Sequence, residues 1–474
     1  MQSNQLKIIS IVCILTGSVL LGLGNIANKS QTSIQNPSTQ PIQMVNSIGL
    51  NQIQNSLLDS DQTYQQKINT GLSYFINQDF RLAISEFVQA NKTDKTQALP
   101  FILSAESYLN LDKPELAKKN IYAAKFKQNY GLYGQLIELQ YHIYSRNNFE
   151  AENILRALDP QFAETQFWNA IYALNIQEID IAKSYFENLI AHPDNNPFYH
   201  IALSFKYNYE LYKTFRDVNI GFLQTLTAKN LLNHNQIIAS RLLSYTALKQ
   251  NPVFRDAWLT LGYSFVKSRE YNKALQTLDK TRKLDPYYPE THLYLGIAYY
   301  NINNYANAIR HLNLANNQES KNKHLIQEFL GLSLFKTQNP KATMIFENLV
   351  AQNYFSPNIF SSLSQIYLSE KNLEKAAQIL QLFKQNYFDH ELYSHNLGHL
   401  YFLTKNYEKS LEFLQKAILK NPNASSSMYL ISQNYKALHN QQLYTQTLNQ
   451  ALQIATKQKD QNLYNLILEE IKNG

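Results

Sequence analysis

Small residues and large apolar residues recur at fixed positions along this chain, with a period of about 34 residues. Gly262 and Gly296 are 34 residues apart, and each is followed three residues later by an aromatic residue, Phe265 or Tyr299. Self-similarity of this length is typical of arrays built from helical hairpins. The pattern therefore predicts tandem pairs of helices.

Each period has the same internal spacing. A small residue is followed twelve residues later by a second small residue, and four residues after that by a large apolar one, as in Gly296, Ala308 and Leu312. One period departs from this rule, because Ala342 comes one position early after Gly331. Small residues at fixed positions predict places where two helices cross closely. The first small positions are Gly71, Ala105, Gly262, Gly296, Gly331, Ser364 and Gly398, and the large ones are Phe87, Ile121, Leu278, Leu312, Phe346, Leu380 and Leu414.

One unit, from about Arg255 to Tyr288, resembles the tetratricopeptide repeat (TPR) family. The resemblance extends over most of the chain and is clearest over 64–124 and 255–424. It implies an all-α fold, a right-handed superhelical solenoid of TPR helical hairpins, in which a proline ends the second helix of a hairpin. The matching positions in the clearest unit are Trp258, Leu261, Gly262, Phe265, Tyr271, Ala274, Leu278 and Pro286.

The repeats divide the chain into consecutive segments. A stretch near 198–217 has a helical pattern but is out of register with the period, which predicts a kink or an inserted helix. Near the C-terminus, Leu463, Leu466 and Ile467 share one face, as in a helix that caps a repeat array. The predicted segments are a signal peptide or transmembrane anchor (1–27), a flexible linker (28–60), an N-terminal TPR array (61–252), a C-terminal TPR array (253–456) and a capping helix (457–474).

The N-terminal sequence predicts an export signal. Residues 8–23 are an apolar run preceded by Lys7, the layout of a secretory signal. Cleavage near Gly24 and retention as an uncleaved membrane anchor both fit this segment. In either case the repeats are expected outside the cytoplasm, in the periplasm or anchored to the inner membrane and facing outward.

Composition removes several classes of function. The formal net charge of +7 is spread thinly over 474 residues, with no dense basic run, so nucleic acid is not an expected partner. The single cysteine, Cys13, can form no internal disulfide and no multi-thiol metal site. The chain has no phosphate-binding Walker sequence and no Gly-x-Ser-x-Gly nucleophile elbow. We therefore expect a protein without enzymatic activity and without a cofactor.

One group of residues, a glutamate and two histidines, has the spacing of metal ligands on a helix. Glu391, His395 and His399 recur every four residues on one predicted helix face. Two histidines at this spacing can chelate a divalent metal. With eleven histidines in the chain, one pair at this spacing is expected by chance. We therefore favour a polar contact in the groove over a metal site.

The family presents the first helix of each hairpin to the concave side of the superhelix. The resemblance therefore implies an apolar, aromatic groove that binds a protein or peptide partner. The charged residues with which some TPR domains clamp a terminal carboxylate are replaced here by Ile68, Leu72, Ile102 and Glu106. The residues predicted to line the groove are Phe75, Tyr263, Val266, Ile297, Tyr300, Leu332, Phe335, His399 and Phe402.

These inferences predict a protein-interaction scaffold of the bacterial cell envelope that assists the assembly or retention of an envelope complex. If the N-terminal segment is uncleaved, the membrane is a second partner. An alternative is a carbohydrate- or peptidoglycan-related module that stacks sugars on the tyrosines of the groove. Exposed aromatic pairs beside carboxylates would favour the alternative, and a continuous apolar groove favours a peptide.

Overall fold

A computed structural model describes residues 57, 60–194, 196–215, 219–458 and 460–473. The described ranges contain 24 α-helices and no β-strand, apart from an isolated bridge between Gln97 and Gln128. Among these helices, none is both long and apolar enough to cross a membrane. The predicted signal or anchor segment lies outside the described residues, as does the predicted linker except for Leu57 and Ser60.

The chain divides into two compact units, and each is described by itself. The first unit contains the described residues up to Ser320. Its fifteen helices are α1 (Gln62–Ile76), α2 (Phe80–Thr93), α3 (Leu99–Asn110), α4 (Pro114–Lys125), α5 (Gly131–Tyr144), α6 (Asn148–Ala157), α7 (Ala163–Asn175), α8 (Ile179–Ala191), α9 (Tyr199–Thr214), α10 (Ile220–Asn233), α11 (Ile237–Gln250), α12 (Arg255–Lys267), α13 (Tyr271–Leu284), α14 (Pro289–Asn301) and α15 (Tyr305–Asn316).

The second unit contains the described residues from Lys321 onwards. Its nine helices are α16 (Lys323–Lys336), α17 (Lys341–Ala351), α18 (Pro357–Ser369), α19 (Leu373–Tyr387), α20 (Glu391–Leu403), α21 (Tyr407–Lys420), α22 (Ser425–Ala437), α23 (Gln441–Gln458) and α24 (Gln461–Asn473).

The helices pair into hairpins whose turns share one backbone conformation. Each turn between the first and second helix of a hairpin contains a non-glycine residue with positive φ, such as Asn235, Arg269 and Asn303, which follow one another at 34 residues. This left-handed conformation lets the chain reverse within a few residues. The corresponding residues of the other hairpins are Gln78, Asp112, Arg146, Gln177, Gln338, Lys371, Lys405 and His439.

Asparagine fixes the start of several second helices. The side chains of Asn304 and Asn406 accept hydrogen bonds from the backbone N–H groups of Asn307 and Lys409. These bonds satisfy donors that a helix start leaves without an intrahelical partner. Asn147 and Asn372 cap α6 and α19 in the same way.

The small positions mark the crossing of the two helices in a hairpin. A Cβ atom built on Gly296 would stand 2.5 Å from Cγ of Leu312, and one on Gly262 would stand 2.5 Å from Cδ2 of Leu278. Both distances are far below van der Waals contact, so only glycine fits there without a shift of the neighbouring side chain. The sequence prediction that these glycines lie where two helices touch is confirmed.

Hairpins stack so that first helices contact one another. In the second unit α18 contacts α16 and α20, and α20 contacts α22. Each second helix packs against its own partner and against the first helix that follows, as α19 does with α18 and α20. The first helices thus form a continuous layer, which we call the first-helix layer of that unit. The predicted fold class, an all-α solenoid of TPR hairpins, is confirmed.

Two of the described helices have no hairpin partner, the last helix α24 and helix α9. Helix α9 follows the hairpin α7–α8 and precedes the hairpin α10–α11, and it contacts both α8 and α10. Its Phe205 stacks on Phe186 of α8, with ring centroids 4.2 Å apart. Aromatic packing of this kind fixes α9 as an additional layer of the first unit.

Candidate functional site

The first helices were predicted to carry the binding surface. In the first unit, the C-terminal ends of several of them are covered by later helices of the same chain. Helix α11 contacts the first helices α3, α5 and α7. Thr246 of α11 bonds to the Asn175 side chain at 2.6 Å, and Gln224 of α10 donates to the Leu174 carbonyl at 2.7 Å. The first helices of this unit also contact one another and form its first-helix layer, and part of that layer is therefore an internal interface.

Arg241 of α11 lies at the centre of this interface and is fully buried. Its guanidinium donates to the Asn110 carbonyl of α3 at 2.7 Å and to the Ser264 carbonyl of α12 at 3.1 Å. The guanidinium carbon also lies 4.4 Å from the centre of the Phe265 ring. A buried charge is stable only when its donors find partners, and here they find helix-end carbonyls and the hydroxyls of Ser264 and Ser268. Arg241 is thus a structural residue that joins three helices.

Ion pairs surround the same interface at its edge. Arg81 of α2 pairs with Glu270 at 2.6 Å, and Lys273 of α13 pairs with Asp112 at 2.6 Å. Arg269 pairs with Asp79. These three contacts join residues that are 161 to 190 positions apart in the chain. The first two hairpins are therefore tied to α12–α13 by charge as well as by packing.

Glu106 is partly buried near this interface. It accepts a hydrogen bond from the Tyr133 hydroxyl. Burial raises the pKa of Glu106 to about 7, and the bond from Tyr133 opposes that rise only in part. Glu106 therefore offers no positive charge to a partner's carboxylate.

Of the predicted groove residues in the first unit, three are buried. Phe75 is 5% exposed and packs edge-on against Phe80, with ring centroids 5.2 Å apart. Val266 and Ile297 are also buried. Side chains with so little exposed surface offer a partner little area to cover.

The two tyrosines predicted for the groove in this unit are partly buried. Tyr263 stacks on Tyr294 with ring centroids 4.4 Å apart and an angle of 12° between the rings. Burial raises the pKa of Tyr263 to about 12. Tyr300 lies beside Tyr305, with ring centroids 5.8 Å apart. One face of the Tyr263 ring is therefore covered by Tyr294, which leaves at most the other face for a partner.

The second unit leaves more of the predicted surface accessible. Phe335, His399 and Phe402 are partly exposed on the first helices α16 and α20, whereas Leu332 is buried. Phe402 lies beside Tyr407, with ring centroids 5.9 Å apart. The aromatic side chains of Phe335 and Phe402 thus present apolar surface on the first-helix layer of this unit.

The same first helices also carry a column of polar residues, which the sequence did not lead us to predict. Glu328, Ser361, His395 and Tyr429 occur at the same position of successive first helices, 33 or 34 residues apart. The Glu328 carboxylate accepts from Ser356 at 2.7 Å and from Tyr354 at 2.9 Å. Because these four residues are separated by one repeat length each, the period alone could have predicted that they occupy equivalent positions on successive first helices.

His395 takes part in this column. Its Nδ1 lies 2.8 Å from the Ser427 hydroxyl of α22. Burial, followed by the neighbouring His399, lowers the pKa of His395 to about 4, so the ring is neutral at pH 7. Within the described part of the chain, no group of three or more His, Cys, Asp or Glu side chains could hold a metal ion.

The column ends at the last helix. Glu470 of α24 accepts hydrogen bonds from Tyr429 at 2.9 Å, from Gln433 at 3.0 Å and from Lys436 at 2.6 Å. Burial alone would raise the pKa of Glu470, but these donors and Tyr444 lower it. The carboxylate thereby attaches the last helix to the hairpin α22–α23.

Comparison with known families agrees with this architecture. Residues 259–318 and 392–424 match family models described as tetratricopeptide repeat. These two stretches of the chain are therefore similar to tetratricopeptide repeats. A comparison with curated protein sequences gives no significant match.

Several solved structures match this chain at low sequence identity. The Cut9–Hcn1 structure of an APC/C hetero-tetramer matches with a TM-score of 0.39 at 15% identity, covering 89% of this chain and 93% of that chain. PilF of Pseudomonas aeruginosa matches with a TM-score of 0.40 at 17% identity, covering 46% and 96%. Yeast Tom70 matches with a TM-score of 0.34 at 11% identity, covering 86% and 96%.

Proposed function

We propose that this chain is a non-enzymatic scaffold for protein–protein interaction in a bacterial cell envelope, where it assists the assembly or retention of an envelope complex. The TPR fold supports the scaffold role, since stacked hairpins form extended surfaces for binding other proteins. The observation that carries the proposal is the accessible aromatic surface of Phe335 and Phe402 on the first-helix layer of the second unit. The binding surface in the first unit is smaller, because α11 covers part of its first-helix layer.

A peptide or protein segment fits this surface better than a sugar. Sugars stack on the open face of an aromatic ring, but the rings of Tyr263 and Tyr294 stack on each other. Phe335 and Phe402 have no hydroxyl with which to bind a sugar and are suited to apolar side chains. We therefore favour a protein partner over the carbohydrate-related alternative.

Removal of the two phenylalanine rings tests the binding surface. In the variant Phe335→Ser with Phe402→Ser, recovery of co-purifying envelope proteins should fall roughly tenfold or more, since truncation of an aromatic hot spot costs about 2 kcal/mol. The matched control is Met344→Ser with Leu419→Ser, two side chains that are 70% and 81% exposed on the second helices α17 and α21. Quantitative mass spectrometry of both samples gives the comparison. An equal loss in the control would show that the first-helix layer has no special role.

The location outside the cytoplasm rests on the apolar run at residues 8–23. A reporter that is active only after export, fused after Lys29, should be active, and a reporter that is active only in the cytoplasm should be silent. The size of the product on a gel then separates cleavage near Gly24 from an intact anchor. The opposite pattern of activity would overturn the proposed location.

A further inference from the structure

A cleft of about 560 Å³ opens between α13, α14 and α15, with its lining drawn from these helices and from the turn at Pro286 and Tyr287. Its volume is in the range of small-molecule sites, about 300–1,000 Å³. Aromatic side chains of Tyr287 and Tyr299 form part of the wall. The cleft contains none of the predicted groove residues. It is therefore a separate candidate for ligand binding.

Two histidines meet in this cleft. Nδ1 of His292 lies 2.9 Å from Nδ1 of His311, and Nε2 of His292 lies 2.8 Å from the Pro286 carbonyl. A carbonyl only accepts, so His292 carries its proton on Nε2 and, when neutral, accepts at Nδ1 from His311. In the neutral pair, Nε2 of His311 is consequently a free acceptor. Addition of one proton there turns it into a donor without any change in the bond between the rings.

The charges around His311 are mainly positive. Arg282 of α13 is paired with Asp279 at 2.6 Å, and that carboxylate also pairs with Lys283 at 2.8 Å. Arg310 of α15 is exposed and, among the described residues, pairs with no carboxylate. Burial, followed by the charges of His292, Arg310 and Arg282, lowers the pKa of His311 to about 4. The cleft thus has an excess of positive charge and unused donors on Arg310.

We propose that this cleft is an oxyanion site, in which Arg310 and the His292–His311 pair bind the phosphate, sulfate or carboxylate group of a ligand. The planar guanidinium of Arg310 can donate two parallel hydrogen bonds to two oxygens of such a group. The negative charge of the ligand favours the protonated form of His311, whose Nε2–H then becomes an additional donor. Tyr287 and Tyr299 offer ring surface to the apolar body of the ligand.

Sulfate is a suitable probe because it remains a dianion throughout the range from pH 5 to pH 8. Calorimetric titration of the full chain with sulfate, at an ionic strength held constant with chloride, should show saturable binding. The affinity should be about tenfold higher at pH 5.5 than at pH 7.5, which requires that binding raise the pKa of His311 by about 2.5 from its value of about 4 in the free protein. Absence of saturable binding at both pH values would overturn the proposal.

Variants identify the residues responsible. Arg310→Ala should weaken sulfate binding about tenfold or more. Arg156→Ala removes the same charge from α6, at a side chain that is 77% exposed, and should leave sulfate binding unchanged. His311→Gln should abolish the pH dependence but retain part of the affinity. Equal weakening by both arginine variants would indicate general charge attraction and would contradict a specific site.

Parallel titrations with acetate and with inorganic phosphate separate the chemical sources of the anion. Preference for acetate over sulfate and phosphate assigns the site to a carboxylate ligand. Preference for the two tetrahedral anions assigns it to a phosphorylated or sulfated ligand. In either case, loss of the preferred anion in Arg310→Ala is required, and retention of its affinity would refute the assignment.

Discussion

Replacement of Gly296 by leucine lowers the free energy of unfolding by roughly 1–3 kcal/mol or more, the usual cost of overpacking a close helix crossing. The reason is geometric, since even a Cβ atom at Gly296 would stand 2.5 Å from Cγ of Leu312. The remaining atoms of a leucine would force α14 and α15 apart. The destabilisation should spread to neighbouring hairpins, because each hairpin is stable mainly through its contacts with the next.

Chemical denaturation followed by circular dichroism measures this effect. Ala306→Leu is the matched control, since Ala306 is exposed on the same hairpin, and its free energy of unfolding should stay within about 0.5 kcal/mol of the wild type. A Gly296→Leu variant with an unchanged melting temperature would contradict the close crossing of α14 and α15.

The second large effect is expected at Arg241. Replacement by alanine should lower the free energy of unfolding of the first unit by roughly 3–5 kcal/mol, as when a partner of a buried polar network is removed. The Asn110 carbonyl would lose its donor, the Ser264 carbonyl would keep only the bond from the Ser268 N–H, and a cavity would form beside Phe265. Arg241→Met keeps most of the volume and should lose less, because only the hydrogen bonds are removed.

Hydrogen exchange locates the damage. In Arg241→Ala, backbone amides of α3 and α12 should exchange faster than in the wild type, because these helices lose their connection to α11. Amides of the second unit provide an internal reference. Arg156→Ala is the external control, since that side chain is exposed. Unchanged exchange in α3 and α12 would show that Arg241 does not join these helices.

The glycine crossings could be predicted from the sequence, whereas the contacts of Arg241 could not. Gly296 and Leu312 are 16 residues apart, and this spacing recurs in other hairpins, so periodicity alone reveals the contact. Arg241 and Asn110 are 131 residues apart and their contact occurs once, so no repeat could reveal it. A weaker signal was present, because α11 is apolar on several faces, which is typical of a helix buried on all sides.

The same reasoning explains the different burial of the predicted groove residues. The repeat frame places Phe75 and Phe402 on first helices, but it does not tell which first helices later parts of the chain will cover. Phe75 is buried in the first unit, where the ends of α1, α3, α5 and α7 meet α10–α13, while Phe402 is partly exposed in the second unit. Binding by these residues stays a prediction that solution experiments must test.

Site-specific photo-crosslinking in living bacteria can show whether the first helices of the second unit contact a partner protein. A photoreactive phenylalanine analogue would replace either Phe402, on the first-helix layer of the second unit, or Leu419, which is 81% exposed on the second helix α21. We expect a discrete crosslinked protein adduct from position 402 and none from position 419. Adducts of equal yield at both positions, or an adduct at position 419 alone, would contradict an interaction scaffold that works through its first helices.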